Sequence, residues 1–205
     1  MDRGNLIVIA APSGTGKTTL VKAIVDKLPG LAVSISHSTR PKRPNEVNGV
    51  DYFFVNEEEF QKMVKHDDFL EHATVFKYSY GTSRSWVEET LAKGIDVILE
   101  IDWQGSQQIK KLAPESIGIF ILPPSLSNLK DRLIKRNQDK PQIIQDRMAD
   151  VKEAISHIKE FDFVVVNDNF DQALSELETI IRACRLSKAR QIRANAQVIR
   201  ELGAV

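Results

Sequence analysis

Apolar residues fall along this chain in short continuous runs separated by stretches of helical period. LIVIA from Leu6, a helical pattern from Lys17 to Leu28 and LAVSIS from Leu31 predict an opening of strand, helix and strand. Three later runs, DVILEI ending at Ile101, IGIFIL ending at Leu122 and FVVV ending at Val166, each lead into a polar or helix-forming segment. Strands this apolar, alternating with helices, imply an α/β protein whose parallel sheet is buried on both faces.

Two stretches break the rhythm. From about His37 to Arg84 come a basic loop, DYFFV, a charged helix after Asn56 and FLEHATVF, which together predict a small mixed insertion. From about Asn128 to Lys159 the chain is charged and helical, with Pro141 separating two helices, the pattern of a lid. The segment from Asp171 to about Leu202 carries one long helical pattern with six basic residues after Ile181 and one acid, Glu201. The boundaries expected are therefore a single domain over 1–205, with core segments 1–36, 85–127 and 160–205, an insertion over 37–84 and a lid over 128–159. A chain of 205 residues, 42% apolar, suffices for one substantial core.

Charge and cysteine content exclude some functions. Positive and negative side chains number 28 each, so no global field favours nucleic acid or an anionic membrane, and neither is expected as a partner. Cys184 is the single cysteine, and the apolar run from Leu6 to Ala11 is too short to span a bilayer. A reducing cytoplasm is the expected setting.

The first strand runs into APSGTGKT, Ala11 to Thr18, which fits GxxxxGKT except that alanine stands first. Triphosphate oxygens need many donors at close range. Gly14 and Gly16 let backbone N–H groups turn inward, and the helix beginning near Lys17 adds its positive end. Lys17 suits the outer phosphates and the Thr18 hydroxyl suits magnesium. A β-carbon at Ala11 requires that its φ stay negative. The loop predicts phosphoryl transfer from a nucleotide and leaves the acceptor open.

Between Ser36 and Tyr52 the sequence SHSTRPKRPNEVNGVDY sets two arginines three apart in a proline-stiffened loop. Arg40 and Arg43 could fork onto one phosphate, with Tyr52 donating its hydroxyl; a solvated or nucleic-acid-binding loop is the alternative. Taken with FLEHATVFKYSYGT, VILEIDWQG, RLIKRNQDK followed by DRM, and VVVND, the chain resembles the guanylate kinase family over nearly its whole length.

The resemblance implies a P-loop nucleoside-monophosphate-kinase fold that converts ATP and GMP to ADP and GDP with Mg2+, ATP being a co-substrate. ATP would lie on Ala11, Pro12, Ser13, Gly14, Thr15, Gly16, Lys17, Thr18, Thr19 and Asn167. Arg40, Arg43, Tyr52 and Tyr80 would hold the acceptor phosphate, and Ser36, Glu71, Gly81, Thr82 and Glu100 would surround guanine. Arg132, Arg136 and Arg147 would belong to the closing lid and act in catalysis with Lys17 and Arg40. Thr18 and, through water, Asp102 would serve the metal. At the expected lid hinge the sequence departs from the family's pattern, Asn137 and Gln138 following Arg136 where the resemblance implies a frequent glycine.

The residue chemistry agrees with a guanine acceptor. Guanine offers donors at N1 and at its 2-amino group, which a carboxylate such as Glu71 can accept together, whereas adenine presents an N1 acceptor. If the strand continues past Ile101, Glu100 and Asp102 point to opposite sides and serve different ligands; Asp102 as a helix cap is the alternative. His37 needs no acid–base role, since a phosphate monoester with its second pKa near ~6 is already ionised at neutral pH. His66, His72 and His157 have no metal-ligand spacing. A non-catalytic guanylate-kinase-like module that binds phosphopeptides, and a homo-oligomeric assembly, stay open at this level.

Overall fold

The computed structural model of the chain describes residues 3–75, 77–135 and 141–203. In chain order the elements are β1 (Leu6–Ala10), α1 (Lys17–Lys27), β2 (Leu31–Val33), β3 (His37–Ser38), β4 (Phe53–Phe54), α2 (Glu57–Lys65), β5 (Phe69–Val75), β6 (Tyr78–Ser83) and α3 (Arg84–Ala92). There follow β7 (Asp96–Glu100), α4 (Trp103–Leu112), β8 (Ile117–Leu122), α5 (Leu126–Lys135), α6 (Pro141–Ser156), β9 (Phe163–Val166), α7 (Phe170–Arg185), α8 (Lys188–Ala194) and α9 (Ala196–Glu201).

The main sheet has the order β2-β7-β1-β8-β9, and every pairing in it is parallel. β1 lies at its centre because LIVIA is apolar on both faces. Ile7 and Ile9 pack with Leu20, Val21 and Ile24 of α1 and with Ala173, Leu177 and Ile181 of α7. Val8 turns the other way and packs with Val97, Leu99, Val87, Leu91 and Ile109, joining β7 to α3 and α4. The α/β architecture with a parallel sheet flanked by helices is thereby present. Its strands release their C-terminal ends together, where ligands of such sheets bind.

A second sheet, order β4-β3-β6-β5, is built between residues 37 and 83. It is mixed: β3 runs parallel to β4 and antiparallel to β6, and β5 and β6 form a hairpin. α2 beside it begins with a reciprocal capping box between Asn56 and Glu59. In the segment read as a lid, α5 and α6 bury Leu129 and Val151 together, with Met148 and Ile155 packed alongside.

Three expectations are corrected. β9 is an edge strand on which Phe163, Val164 and Val166 are exposed, so burial on both faces does not extend to it. The C-terminal pattern is three helices rather than one, because buried apolar positions stop at Ile181 and the chain bends at Leu186 and Asn195. β7 ends at Glu100, two residues before Asp102, so the alternation expected through Ile101 is lost.

At the opposite end of the sheet from the strand C-termini, the fully buried Asp96 ties the C-terminal helices to β7. It accepts from Arg185 Nε and Arg190 Nη1, each at 2.6 Å, and from the Asn5 amide at 2.7 Å. Among the described residues no helix is long and apolar enough to cross a membrane.

Candidate active site

β1 delivers the chain into a loop that is left-handed at Gly14 (φ 91°) and Gly16 (φ 90°), conformations that disfavour any side chain. Ala11 is not among the positive-φ residues, so its β-carbon is accommodated. Gly16 caps α1 without contributing a side chain, and the first turn holds no acid. The N-terminal amides of α1 are thus left for an anion. The loop is braced from behind: Asn167 Nδ2 donates to Thr15 O at 2.7 Å, and the Thr15 hydroxyl donates to Pro12 O at 3.0 Å. A β-carbon at Gly16 would come within 2.6 Å of Asn167 Nδ2, a second reason for glycine there.

Lys17 and Thr18 face the end of β7. Lys17 Nζ donates to Ile101 O at 3.2 Å, and Thr18 Oγ1 donates to Glu100 Oε2 at 2.9 Å. Burial holds the Lys17 ammonium below its ordinary pKa, opposed by the charges of Glu100 and Asp102. Both acids line the same cleft, because the chain turns into α4 immediately after Ile101. Asp102 Oδ1 also accepts from Gly105 N at 2.9 Å, so the residue caps α4 as well as bordering the cleft.

The second sheet supplies the facing wall. Glu71, only 4% exposed, accepts from the Thr82 hydroxyl at 2.6 Å, and its carboxyl is pushed up to about 7 by burial, with the Asp102 charge adding to the effect. A bulge between Phe69 and Glu71 shifts the β5 register and turns Leu70 and Glu71 both inward. α4 approaches this carboxylate so closely that a β-carbon at Gly105 would lie 2.6 Å from Glu71 Oε2.

The arginine loop has an organiser that sequence reasoning missed. Glu46 accepts from Arg40 through both oxygens, at 2.9 and 2.7 Å, and from the Arg43 amide at 2.8 Å; Arg43 Nη1 lies 3.7 Å away. Burial alone would raise the Glu46 pKa, but hydrogen bonds from Arg40 and Arg43 hold it below its ordinary value. The Arg40 guanidinium sits over the rings of Tyr52 and Phe54, at 5.3 and 5.6 Å. Burial raises the Tyr52 pKa, keeping its hydroxyl a donor, and Tyr80 stands 6.0 Å from it between ring centroids. The only sequence signal for Glu46 was an acid six residues after Arg40, within reach of a loop closed by prolines.

From α5, Arg132 donates to Thr15 O at 3.2 Å and to Asn167 O at 3.1 Å, against the back of the phosphate loop. Arg136 and the Arg147 side chain lie outside the described residues. Asp150, Glu153 and Ala154 of α6 border the cleft, two of them acids in a segment where the sequence reading singled out only arginines. Trp103, at the start of α4, stacks on His157 with ring centroids 3.8 Å apart. His37 is sandwiched by Phe53 and Phe69 and kept below its ordinary pKa by burial, a packing residue.

One cleft of about 450 Å³ brings together Ala11 to Thr18, Ser36, Arg43, Tyr52, Glu71, Tyr80, Glu100 and Asp102. Arg40, Thr19, Gly81, Thr82, Arg132 and Asn167 do not line it directly; of these, Thr82, Arg132 and Asn167 bond to residues that do, and Arg40 sits over the ring of Tyr52, which does.

Comparison with known proteins points the same way. The guanylate kinase family model matches residues 3–184. A guanylate kinase from Coxiella burnetii is 53% identical over 202 residues, 98% of each chain. Another from Hahella chejuensis is 54% identical over 199 residues, covering 97% of this chain and 96% of its own. Among solved structures, guanylate kinase from Anaplasma phagocytophilum superposes with a TM-score of 0.79 at 30% identity, covering 92% of this chain and 90% of that one.

Proposed function

The chain belongs to the guanylate kinase family and phosphorylates GMP with ATP, and we propose a division of labour across its cleft. The observation that carries it is a phosphate loop and a buried, hydrogen-bonded carboxylate, Glu71, facing one another across a single cavity.

ATP phosphates lie on the amides of residues 11–19 and the uncapped end of α1, with Lys17 leaving Ile101 O for their outer oxygens. Asn167 acts from behind by holding the Thr15 carbonyl. GMP enters opposite: Glu71, fixed by Thr82, accepts from guanine N1–H and the 2-amino group, while Ser36 and Glu100 border the base. Arg43, Tyr52 and Tyr80 meet its phosphate, and Arg40 joins them from its place on Glu46. With the acceptor oxygen already ionised, no general base is required, and rate acceleration comes from alignment and charge neutralisation. Arg132, with Arg136 and Arg147, closes over the transferring group, segments 37–84 and 128–159 serving as acceptor subdomain and lid.

The oxygen donors at the loop mouth fit Mg2+: a Thr18 hydroxyl 2.9 Å from Glu100, with Asp102 beside it, is a sparse, hard set suited to an ion that keeps much of its water. Thr18 would hold it directly and Asp102 through water. Bound there, it would offset charge on the β- and γ-phosphate oxygens. A reducing cytoplasm suits the half-buried thiol of Cys184.

The test is Lys17→Ala. Its turnover should fall by about 10³ or more, while GMP affinity measured by calorimetry stays within about threefold, since the two substrates occupy opposite walls. An equal loss in GMP affinity would overturn the assignment.

A further inference from the structure

We propose that Gln108 is a positioning residue for guanine recognition, its side-chain amide holding β5 in the register that aims Glu71 into the cleft. The inference rests on Glu71 being the guanine acceptor.

β5 is the outer strand of the second sheet, paired only with β6 among the described strands. Backbone groups on its free side have no ladder partner, and His72 presents both of its own there. Gln108 of α4 answers both: Nε2 donates to His72 O at 2.8 Å and Oε1 accepts from His72 N at 3.3 Å. The primary amide thus stands in for the peptide of a missing strand.

The location matters because of the bulge one residue away. A bulge leaves the facing of nearby side chains sensitive to backbone adjustment, and a one-residue slip would turn Glu71 from the cleft to the opposite face. Arg84 holds the other flank, donating to Phe69 O at 2.9 Å and Asp67 O at 3.1 Å. Glu71 therefore sits between two pinned points. Gln108 lies one turn from Gly105, whose missing side chain leaves room for Glu71 Oε2, so α4 both admits the carboxylate and fixes the strand that bears it. Gln108 itself is outside the set of residues that border the cleft.

The measurement is steady-state kinetics of Gln108→Ala with GMP and with IMP, whose base keeps N1–H but lacks the 2-amino group, so their ratio reads alignment of the second donor with Glu71. The variant should raise KM for GMP about tenfold and lower the GMP-over-IMP preference in kcat/KM by about tenfold. The KM for ATP and the kcat with saturating GMP should stay within about twofold. Gln108→Asn, an amide one methylene too short to reach His72, should behave alike and serves if the alanine variant fails to melt cooperatively. Folded variants that keep the parent KM and GMP-over-IMP ratio, or that lose rate equally with both nucleotides, would overturn the proposal. Glu71→Gln run in parallel separates the two levels: if it too leaves the ratio unchanged, the guanine reading itself has failed; if it alone collapses the ratio, only the role of Gln108 has.

Discussion

At the scale of one residue, the role proposed for Glu71 ties its burial to both specificity and pH dependence. Its carboxyl is pushed up to about 7 from 4.5 by desolvation, so at neutral pH the free protein holds a mixture of acid and carboxylate. The folded state then binds more protons than the unfolded chain between those values, and stability falls as pH rises through that window, by roughly 3 kcal/mol for this group alone. In the proposed role, guanine needs the ionised form as acceptor. The KM for GMP should therefore rise as pH falls below about 7, and kinetics between pH 5.5 and 8 should show this step removed in Glu71→Gln, leaving only the titration of the GMP phosphate near ~6. A pH profile identical in the variant would contradict the role. Sequence alone did not give this environment: FLEHATV shows no clean alternation because the bulge turns Leu70 and Glu71 the same way, and the family resemblance, not periodicity, singled Glu71 out. Gly105 carried a fainter signal, a glycine in the first turn of α4 that the close approach of Glu71 explains. Glu46 carried almost none, since its value lies in two arginines folding back onto it.

Among elements, those whose burial follows the local apolar pattern were legible. α1 and β1 follow from LIVIA, the glycine-rich loop and the helical period after Lys17, and the parallel order around β1 matches the near-continuous apolar runs. The end of β7 was less visible, because Ile101 is buried and extends the apolar run while the backbone has already left the sheet. The C-terminal helices misled for the converse reason: helical composition persists past Ile181, but buried contacts do not. What secures that region is Asp96 with Arg185 and Arg190, partners about ninety positions apart that no local pattern reveals. Asp96→Asn leaves two arginines facing a neutral group and should cost about 3–5 kcal/mol in denaturant melts. Because this cluster lies at the far end of the sheet from the cleft, KM values for ATP and GMP should be unchanged. Altered KM with unaltered stability would show that the cluster serves the site instead.

Over the whole molecule, the cleft is assembled from elements that meet only in the folded chain: a loop after β1, the end of β7, the start of α4, a bulged strand of the second sheet and the inner face of α6. α4 links them, with Asp102 capping its start, Trp103 stacked on His157, Gly105 under Glu71 and Gln108 against β5. The phosphate loop was legible as chemistry from eight consecutive residues; the choice of acceptor depends on this long-range assembly, which is why resemblance had to supply it. The central claim is that the far wall reads guanine through a buried carboxylate. ATP-dependent turnover measured as ADP release across GMP, AMP, CMP and UMP tests it most directly: kcat/KM for GMP should exceed that for AMP by about 10⁴, and comparable turnover of AMP would contradict the account.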